Sequence, residues 1–260
     1  LSYVPEIPWN NSCAGMLLTN YHGYATPYGT GGYCNSGSGP LTTVAGSGGP
    51  SGCATGWPNM PGEVGGSCAG YAKPSWQTVV GMPADGVRDL PDISLFAASG
   101  VWAHYYLTCF SDTSRQGRAC TGAPSSWTGG GGTSFSSPIM AGVQALVNQK
   151  LGAPQGNPNP VYYALAAKEF GALGNALCNA SNGNTVKKGC IFYDVTAGDM
   201  DVNCTGTVNC YTPSGTNGVL SQSSSAYLPA QTSGVGWDSA TGLGSINAKN
   251  LVAAWAKRFR

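Results

Sequence analysis

The chain has 260 residues, of which only 9% are charged, and its formal net charge at pH 7 is +1. A chain of this length can bury a sizeable core and is predicted to form one domain, whereas its near-neutral charge gives no electrostatic basis for binding nucleic acid or an anionic membrane surface. Its apolar runs are all shorter than the roughly 18 residues that suggest a membrane-spanning helix, so we expect no membrane span.

The first 70 residues are rich in Gly, Ser, Asn and Tyr and show no helical periodicity. Residues 35–70 hold most of this glycine, and we interpret them as a loop insertion within the single domain. Tyrosine is enriched at protein interfaces, although it also packs ordinary loops. The tyrosines that are candidates for a contact surface here are Tyr3, Tyr21, Tyr24, Tyr28 and Tyr33. No signal-peptide pattern is visible, so we expect the chain to be already processed.

Ten cysteines lie in close sequence pairs, and their even number favours disulfides. Free buried thiols or a zinc site are the alternatives, but there is no Cys-x-x-Cys pair and only His22 and His104 are available as histidine ligands. Nearest-neighbour pairing is the simplest of many connectivities, with each bridge closing a short surface loop. The predicted pairs are Cys13–Cys34, Cys53–Cys68, Cys109–Cys120, Cys178–Cys190 and Cys204–Cys210. Such a set forms in an oxidising compartment, which predicts a secreted protein.

Beyond residue 90 the apolar pattern predicts alternating strands and helices. Short apolar runs predict strands at residues 93–98, 105–110 and 191–195. Helical spacing, or a proline suited to a first helical turn, predicts helices after Ser134 to about Lys150, over 159–170 and over 247–257. This alternation predicts an α/β layer fold with a mostly parallel sheet.

Residues 129–138 place Ser134 between a run of glycines and the start of a predicted helix. Glycine allows a turn that a side chain would obstruct, and Pro138 suits a first helical turn. A hydroxyl in this position lies near unpaired N–H groups and the positive end of the helix dipole, which favour developing negative charge. The pattern is typical of an activated serine nucleophile, and equally of a glycine-serine turn that caps a core helix.

Four segments together resemble the sedolisin family, the serine-carboxyl peptidases, which are acid-acting relatives of the subtilisins. The segment around Ser134 matches the family's Gly-Gly-Thr-Ser-x-Ser-x-Pro nucleophile pattern at each fixed position. The other three are 73–77, similar to Pro-x-Trp-Gln; 88–94, similar to Arg-x-x-Pro-Asp-x-Ser; and the closing segment 232–244. A further stretch, 47–51, has Pro50 where the family has a glycine. In the 88–94 segment we expect Asp92 to brace the strand end near Arg88.

The resemblance implies a subtilisin-like three-layer α/β fold with a mostly parallel sheet. Residues 1–260 would be the C-terminal portion of a peptidase catalytic domain. It also implies a structural Ca²⁺ site, because calcium takes 6–8 oxygen ligands and the family combines carboxylate and carbonyl oxygens. Carried onto this sequence, the carboxylate ligands are Asp194 and Asp238, and the carbonyl ligands are Val195, Gly234 and Gly236. The alternative is a glycine-rich turn with an aspartate cap. Asp199 and Asp201, close by, could be extra ligands, but we interpret them as part of a solvated acidic loop.

The sequence offers Ser134 no base. The family uses a glutamate as base, an aspartate to orient it and a second aspartate beside the oxyanion, all before the Pro-x-Trp-Gln segment, and this chain starts too late to hold them. His22 and His104 are interpreted as loop or surface residues, and neither Glu6 nor Glu63 matches the family's catalytic glutamate.

The resemblance therefore implies a secreted peptidase that hydrolyses peptide bonds of a peptide or protein substrate at acidic pH, with its glutamate and aspartates supplied by the N-terminal fragment of the same precursor. Acid unfolding arises mainly from protonation of paired carboxylates. With 11 carboxylates the chain has few such pairs to lose, which predicts acid tolerance. The alternative function is a peptidase scaffold that has become a non-catalytic binding or structural protein.

Overall fold

The computed structural model describes residues 4–51, 70–97, 100–122, 127–207 and 209–258. The helices of these ranges are α1 (Met16–Tyr21), α2 (Ser136–Leu151), α3 (Asn159–Phe170) and α4 (Ala248–Arg258). The prediction of a helix over 159–170 is confirmed. The predicted helices after Ser134 and over 247–257 are also confirmed, and α2 and α4 begin and end within two residues of the predicted bounds. Helix α1 was not predicted, because six residues are too few to display a helical period.

The strands of the described residues contain only two or three residues each. They are β1 (Gly49–Pro50), β2 (Asp89–Leu90), β3 (Tyr106–Thr108), β4 (Thr128–Gly130), β5 (Phe192–Tyr193), β6 (Asn203–Cys204), β7 (Cys210–Tyr211), β8 (Gly218–Leu220) and β9 (Ser245–Ile246). They form three two-stranded sheets, β1–β2, β3–β4 and β5–β9, and one three-stranded sheet in the order β6–β8–β7. Every one of these strand pairs is antiparallel.

The predicted subtilisin-like three-layer fold with a mostly parallel sheet is therefore wrong for the described part of the chain. A parallel pair requires two extended segments joined by a long crossover. The predicted strand at 93–98 joins no strand over its described residues. Instead, the Ser94 N–H donates to the Gly244 carbonyl at 3.1 Å, and the Leu243 N–H donates to the Asp92 carbonyl at 2.9 Å. An apolar run marks a segment as buried, but it does not identify the partner of its backbone groups.

The larger of two cores lies among α2, α3, α4 and β5. Its fully buried side chains include Val147, Tyr163, Phe192 and Trp255. The edge of the Trp255 ring meets the Tyr162 ring with their centroids 5.5 Å apart. Burial of these large side chains holds α2, which follows Ser134, in a fixed position. No helix in the described ranges is long and apolar enough to cross a membrane.

The smaller core is built on α1 and on the Cys13–Cys34 disulfide. Four of the five predicted pairings are confirmed: Cys13–Cys34, Cys109–Cys120, Cys178–Cys190 and Cys204–Cys210. The predicted Cys53–Cys68 pair lies outside the described residues, as does half of the predicted insertion 35–70, whose extent stays a prediction. The expectation that each bridge only closes a short surface loop is wrong for Cys13–Cys34 and for Cys178–Cys190, since all four of these cysteines are buried.

The tyrosines proposed as a contact surface are mostly packed rather than displayed. Tyr33 is buried in the smaller core, and Tyr24 and Tyr28 are half-buried against it. Tyr21 is exposed, and Tyr3 lies outside the described residues. These rings therefore act mainly as core, which removes the main support for a tyrosine-based binding surface.

Candidate functional site

Ser134 lies in a single turn of 3₁₀ helix (Thr133–Phe135) between β4 and α2. Gly132, two residues earlier, has φ +117°, a conformation that side chains other than glycine rarely adopt. The Gly132 N–H donates to the Ala97 carbonyl at 2.5 Å, which ties the turn to the segment that follows Asp92. Ser134 is exposed, and its hydroxyl makes no hydrogen bond to any described residue.

The β3–β4 pair forms one wall beside this turn. The Tyr106 ring stacks on the Phe135 ring with their centroids 4.5 Å apart, and the Tyr106 hydroxyl donates to the Phe96 carbonyl at 2.5 Å. On the opposite strand, the Arg118 guanidinium donates to the Thr128 hydroxyl at 2.6 Å. These contacts fix the residue after Ser134, and hence the position of the turn.

Helix α2 begins two residues after Ser134 and runs for 16 residues. Its first turn contains no acidic residue, so nothing in that turn offsets the positive end of its dipole. This arrangement favours negative charge beside Ser134, as an oxyanion requires. Both histidines, His22 and His104, are exposed as predicted, and within the described ranges no imidazole or carboxylate is hydrogen-bonded to the Ser134 hydroxyl. Glu6 instead accepts from the Ser245 hydroxyl at 2.7 Å.

A cavity of about 330 Å³ opens between the start of α2 and the start of α3. The Asp92 carboxylate on its wall accepts from Arg88 at 2.5 Å, from the Asn159 amide at 2.9 Å and from the Tyr163 hydroxyl at 3.0 Å. The expected contact of Asp92 with Arg88 is therefore present, although the predicted strand at 93–98 beside it does not form over its described residues. On the α2 side, the Gln144 Oε1 accepts from Tyr162, whereas the Gln144 Nε2 is buried with no acceptor in the described structure. The cavity therefore presents one unused donor.

The predicted calcium ligands come from two loops, one after β5 and one before β9. Asp194 and Asp238 are both buried, and Asp194 Oδ1 has no hydrogen-bond donor among the described residues. The Gly236 N–H donates to Asp194 Oδ2 and the Gly234 N–H to Asp238 Oδ2, each at 2.9 Å. The two glycines thus join both carboxylates into one unit.

The two carboxyl groups of this unit, Asp194 and Asp238, form no ion pair with a basic residue in the described structure. Burial raises the pKa of Asp194 to about 6, and burial together with the Asp194 charge raises the pKa of Asp238 to about 7. No hydrogen bond within the described ranges reaches the carbonyl oxygens of Val195, Gly234 or Gly236. The described residues contain no set of three or more His, Cys, Asp or Glu arranged for a metal, so a cation here would depend on these carbonyls. An unpaired carboxylate oxygen and three free carbonyls are a donor set that suits Ca²⁺.

Asp199 and Asp201 form a second acidic unit, and their interpretation as a solvated loop is wrong. Both are buried, and Asp201 is 0% exposed. The Asn10 Nδ2 donates to the Asp199 carboxylate at 3.2 Å and to the Asp201 carbonyl at 2.9 Å. Asp201 Oδ1 accepts from the backbone N–H groups of Ala230 and Gln231. Nothing local signals this cluster, because Asn10 and Asp199 are 189 positions apart.

No protein-family profile and no curated protein matches this chain. A solved structure described as Pseudomonas sedolisin (serine-carboxyl proteinase) complexed with two molecules of pseudo-iodotyrostatin matches it with a TM-score of 0.40 and 23% sequence identity. The match covers 73% of this chain but only 36% of that chain. This is a distant similarity to a sedolisin structure, and at this TM-score it carries no argument about the reaction.

Proposed function

We propose that this chain carries the nucleophile of a secreted serine-carboxyl peptidase that acts at acidic pH. The observation that supports this most is the placement of Ser134. Its side chain is exposed, its hydroxyl makes no hydrogen bond among the described residues, and it lies two residues before the positive end of a 16-residue helix. A serine that only capped α2 would bond to its backbone, and no such bond forms. The match of residues 129–138 to the sedolisin nucleophile pattern supports the same assignment.

In the proposed reaction, the Ser134 Oγ bonds to the carbonyl carbon of the substrate peptide while its proton passes to a carboxylate base. The positive end of α2 stabilises the oxyanion that forms. The C–N bond then breaks, and the departing amine takes the proton from that base. Water hydrolyses the ester of Ser134 and regenerates the hydroxyl. The base and the two aspartates are proposed to come from the N-terminal fragment of the same precursor.

The unit of Asp194 and Asp238 is proposed to hold a structural Ca²⁺ ion. Asp194 and Asp238 would supply carboxylate oxygens, and Val195, Gly234 and Gly236 would supply carbonyl oxygens. When bound, the ion neutralises two buried like charges that no described basic residue pairs. The loops it joins flank β5 and β9, so the ion would hold the C-terminal half of the chain together and take no part in the chemistry.

A fluorophosphonate that reacts with activated serines tests the peptidase assignment. The native protein, purified with whatever chain accompanies it, is treated at acidic pH and analysed by intact mass and peptide mapping. We expect one label on Ser134, and Ser134→Ala should abolish it. Ser137→Ala is the matched control, because Ser137 is also an exposed serine and lies only three residues further along the chain, within α2.

Labelling of S137A but not of S134A supports the assignment. No labelling of the native protein, or equal labelling of both variants, contradicts it. In that case Ser134 belongs to a structural turn.

A further inference from the structure

Three Asn-x-Ser/Thr tripeptides occur in this chain, and they begin at Asn10, Asn179 and Asn203. In a secreted protein this tripeptide is the acceptor for an N-linked glycan, which is bulky and therefore lies at the surface. The four disulfides suggest that the chain is secreted. The amide nitrogens of the three asparagines differ in what they contact, and this difference decides which of them is compatible with a glycan in the folded protein.

Asn10 is only 6% exposed, and its amide nitrogen is fully used. The Asn10 Nδ2 donates to the Asp199 carbonyl and to the Asp199 Oδ1, each at 3.2 Å, and to the Asp201 carbonyl at 2.9 Å. Because an amide nitrogen carries two hydrogens, a glycan here would remove at least one of these bonds and would need space inside the fold. Glycosylation of Asn10 is therefore incompatible with this structure.

Asn179 is half-buried, and both ends of its amide are held. Its Oδ1 accepts from the Ser181 N–H at 2.9 Å, and its Nδ2 donates to the Thr196 hydroxyl at 2.7 Å. The residues on either side of it, Cys178 and Ala180, are buried. A glycan on this Nδ2 would have to leave through a packed region, so the fold disfavours Asn179 as well.

Asn203 lies on β6, an edge strand of the three-stranded sheet, and Ser12 fixes the orientation of its amide. The Ser12 Oγ accepts from the backbone N–H groups of Ala14 at 3.2 Å and of Asn203 at 3.1 Å. The hydroxyl hydrogen is left to donate, and it donates to the Asn203 Oδ1 at 3.1 Å. The Asn203 Nδ2, at the other side of the amide, is not buried and makes no hydrogen bond among the described residues.

The third residue of this tripeptide is also available at the surface. Residues 205–207 are exposed, and the Thr205 hydroxyl makes no hydrogen bond among the described residues. A glycan beside them would also add solubility to a chain that has few charges. Only 9% of its residues are charged and its net charge is +1, so electrostatic repulsion does little to keep copies of the chain apart. A hydrated glycan does this without charge.

We propose that Asn203 is a glycosylation site of this protein and the only one of the three asparagines that carries a glycan in the folded chain. In the transfer, the Asn203 Nδ2 bonds to the anomeric carbon of a lipid-linked oligosaccharide pyrophosphate. The bond from that carbon to the pyrophosphate oxygen breaks, the lipid pyrophosphate leaves with the electron pair, and Nδ2 gives up one of its two protons. The bond from Ser12 to the Asn203 Oδ1 is retained. The site does not depend on Ser134 being a nucleophile.

The experiment secretes the 260-residue chain from a eukaryotic cell line and maps its glycans by mass spectrometry. Peptide N-glycosidase in heavy-oxygen water converts each glycosylated asparagine to a heavy-oxygen aspartate, which identifies its position. We expect this label at Asn203 and none at Asn10 or Asn179. Thr205→Ala removes the required hydroxyl without altering the acceptor, so it should abolish the glycan. Thr205→Ser is the matched control and should retain the glycan, because it keeps a hydroxyl.

A secreted chain with no glycan at Asn203 overturns the proposal, as does a glycan at Asn10 or Asn179 in a chain whose disulfides are intact. A glycan that persists in T205A overturns it too. If T205A is not secreted, the peptide map of the unsubstituted chain still decides among the three positions. A chain that is retained in the cell is mapped in the same way after extraction from the endoplasmic reticulum, where the glycan is added.

Discussion

At the scale of single residues, the turn at Ser134 is specified by residues that are contiguous in the chain. Glycines before Ser134 predict a turn, and Gly132 does adopt a left-handed φ of +117°. The helix begins where Pro138 and the apolar spacing placed it. A base could not be found in the same way, because it is defined by its distance in space from Ser134. Within the described structure no carboxylate or imidazole is hydrogen-bonded to the Ser134 hydroxyl, in keeping with the proposal that the base belongs to another fragment.

The backbone of the turn leads to a prediction about Gly132. A Cβ at this position would meet no atom within 4 Å, so backbone conformation alone opposes substitution. Holding alanine at this φ costs about 1–3 kcal/mol, and we expect Gly132→Ala to lower the melting temperature by roughly 2–10 °C. Gly189→Ala is the control, since Gly189 also faces open space but has no left-handed φ. Equal melting temperatures for the two variants would contradict the assigned role of Gly132.

At the scale of elements, the three predicted helices form, whereas the predicted strands form only in part. β3 lies within the predicted strand 105–110 and β5 within 191–195, but 93–98 joins no strand over its described residues. The helix α3 was predictable from local residues, since Pro160 suits its first turn and its hydrogen bonds lie inside the segment. A strand depends on a second segment, and the patterns at 93–98 and 191–195 do not say which one. Residues 192–193 pair with 245–246, whereas Ser94 bonds to Gly244 without forming a strand pair. The prediction of a parallel sheet was wrong because the segments pair with other partners than a parallel sheet requires, although their apolar residues were read correctly as buried.

The two loops that carry Asp194 and Asp238 lead to a prediction about calcium. At a Ca²⁺ concentration about 100 times Kd, binding adds roughly 2.7 kcal/mol to the free energy of unfolding, which raises the melting temperature by roughly 5–10 °C. Differential scanning calorimetry with Ca²⁺ and then with EDTA measures this difference. Asp194→Asn should abolish the difference, because the amide removes one anionic ligand.

Asp112→Asn serves as the control for calcium, since Asp112 is exposed and lies outside both loops. It should retain the full difference between Ca²⁺ and EDTA. If the unsubstituted protein melts at the same temperature in both, the two aspartates are only a buried hydrogen-bonded pair. If D194N retains the calcium effect, the ion binds elsewhere.

At the scale of the whole molecule, the chain has few charges and buries several of its acids. Asp194, Asp199, Asp201 and Asp238 are all buried, and burial raises the pKa of each one. The expected acid tolerance was inferred from a scarcity of carboxylates alone. The buried acids add a second physical reason that composition does not display. Their locations depend on contacts such as that between Asn10 and Asp199, which are 189 positions apart in the chain.

The buried acids predict that this protein is more stable in acid than at neutral pH, and Asp201 gives the clearest test. Its pKa rises from 3.8 to about 7 on folding, through burial first and the Asp199 charge second. The folded state therefore binds more protons between these values, so the free energy of unfolding falls as pH rises from about 4 to 7, by at most about 1.4 kcal/mol per pH unit for this group.

Asp201→Asn keeps an acceptor for the Ala230 and Gln231 N–H groups and removes the charge. Measured in EDTA, D201N should melt higher than the unsubstituted protein at pH 7 and close to it at pH 4, while D112N should follow the unsubstituted protein throughout. If the melting temperatures of D201N and of the unsubstituted protein change with pH in the same way between pH 4 and pH 7, Asp201 does not set the pH dependence.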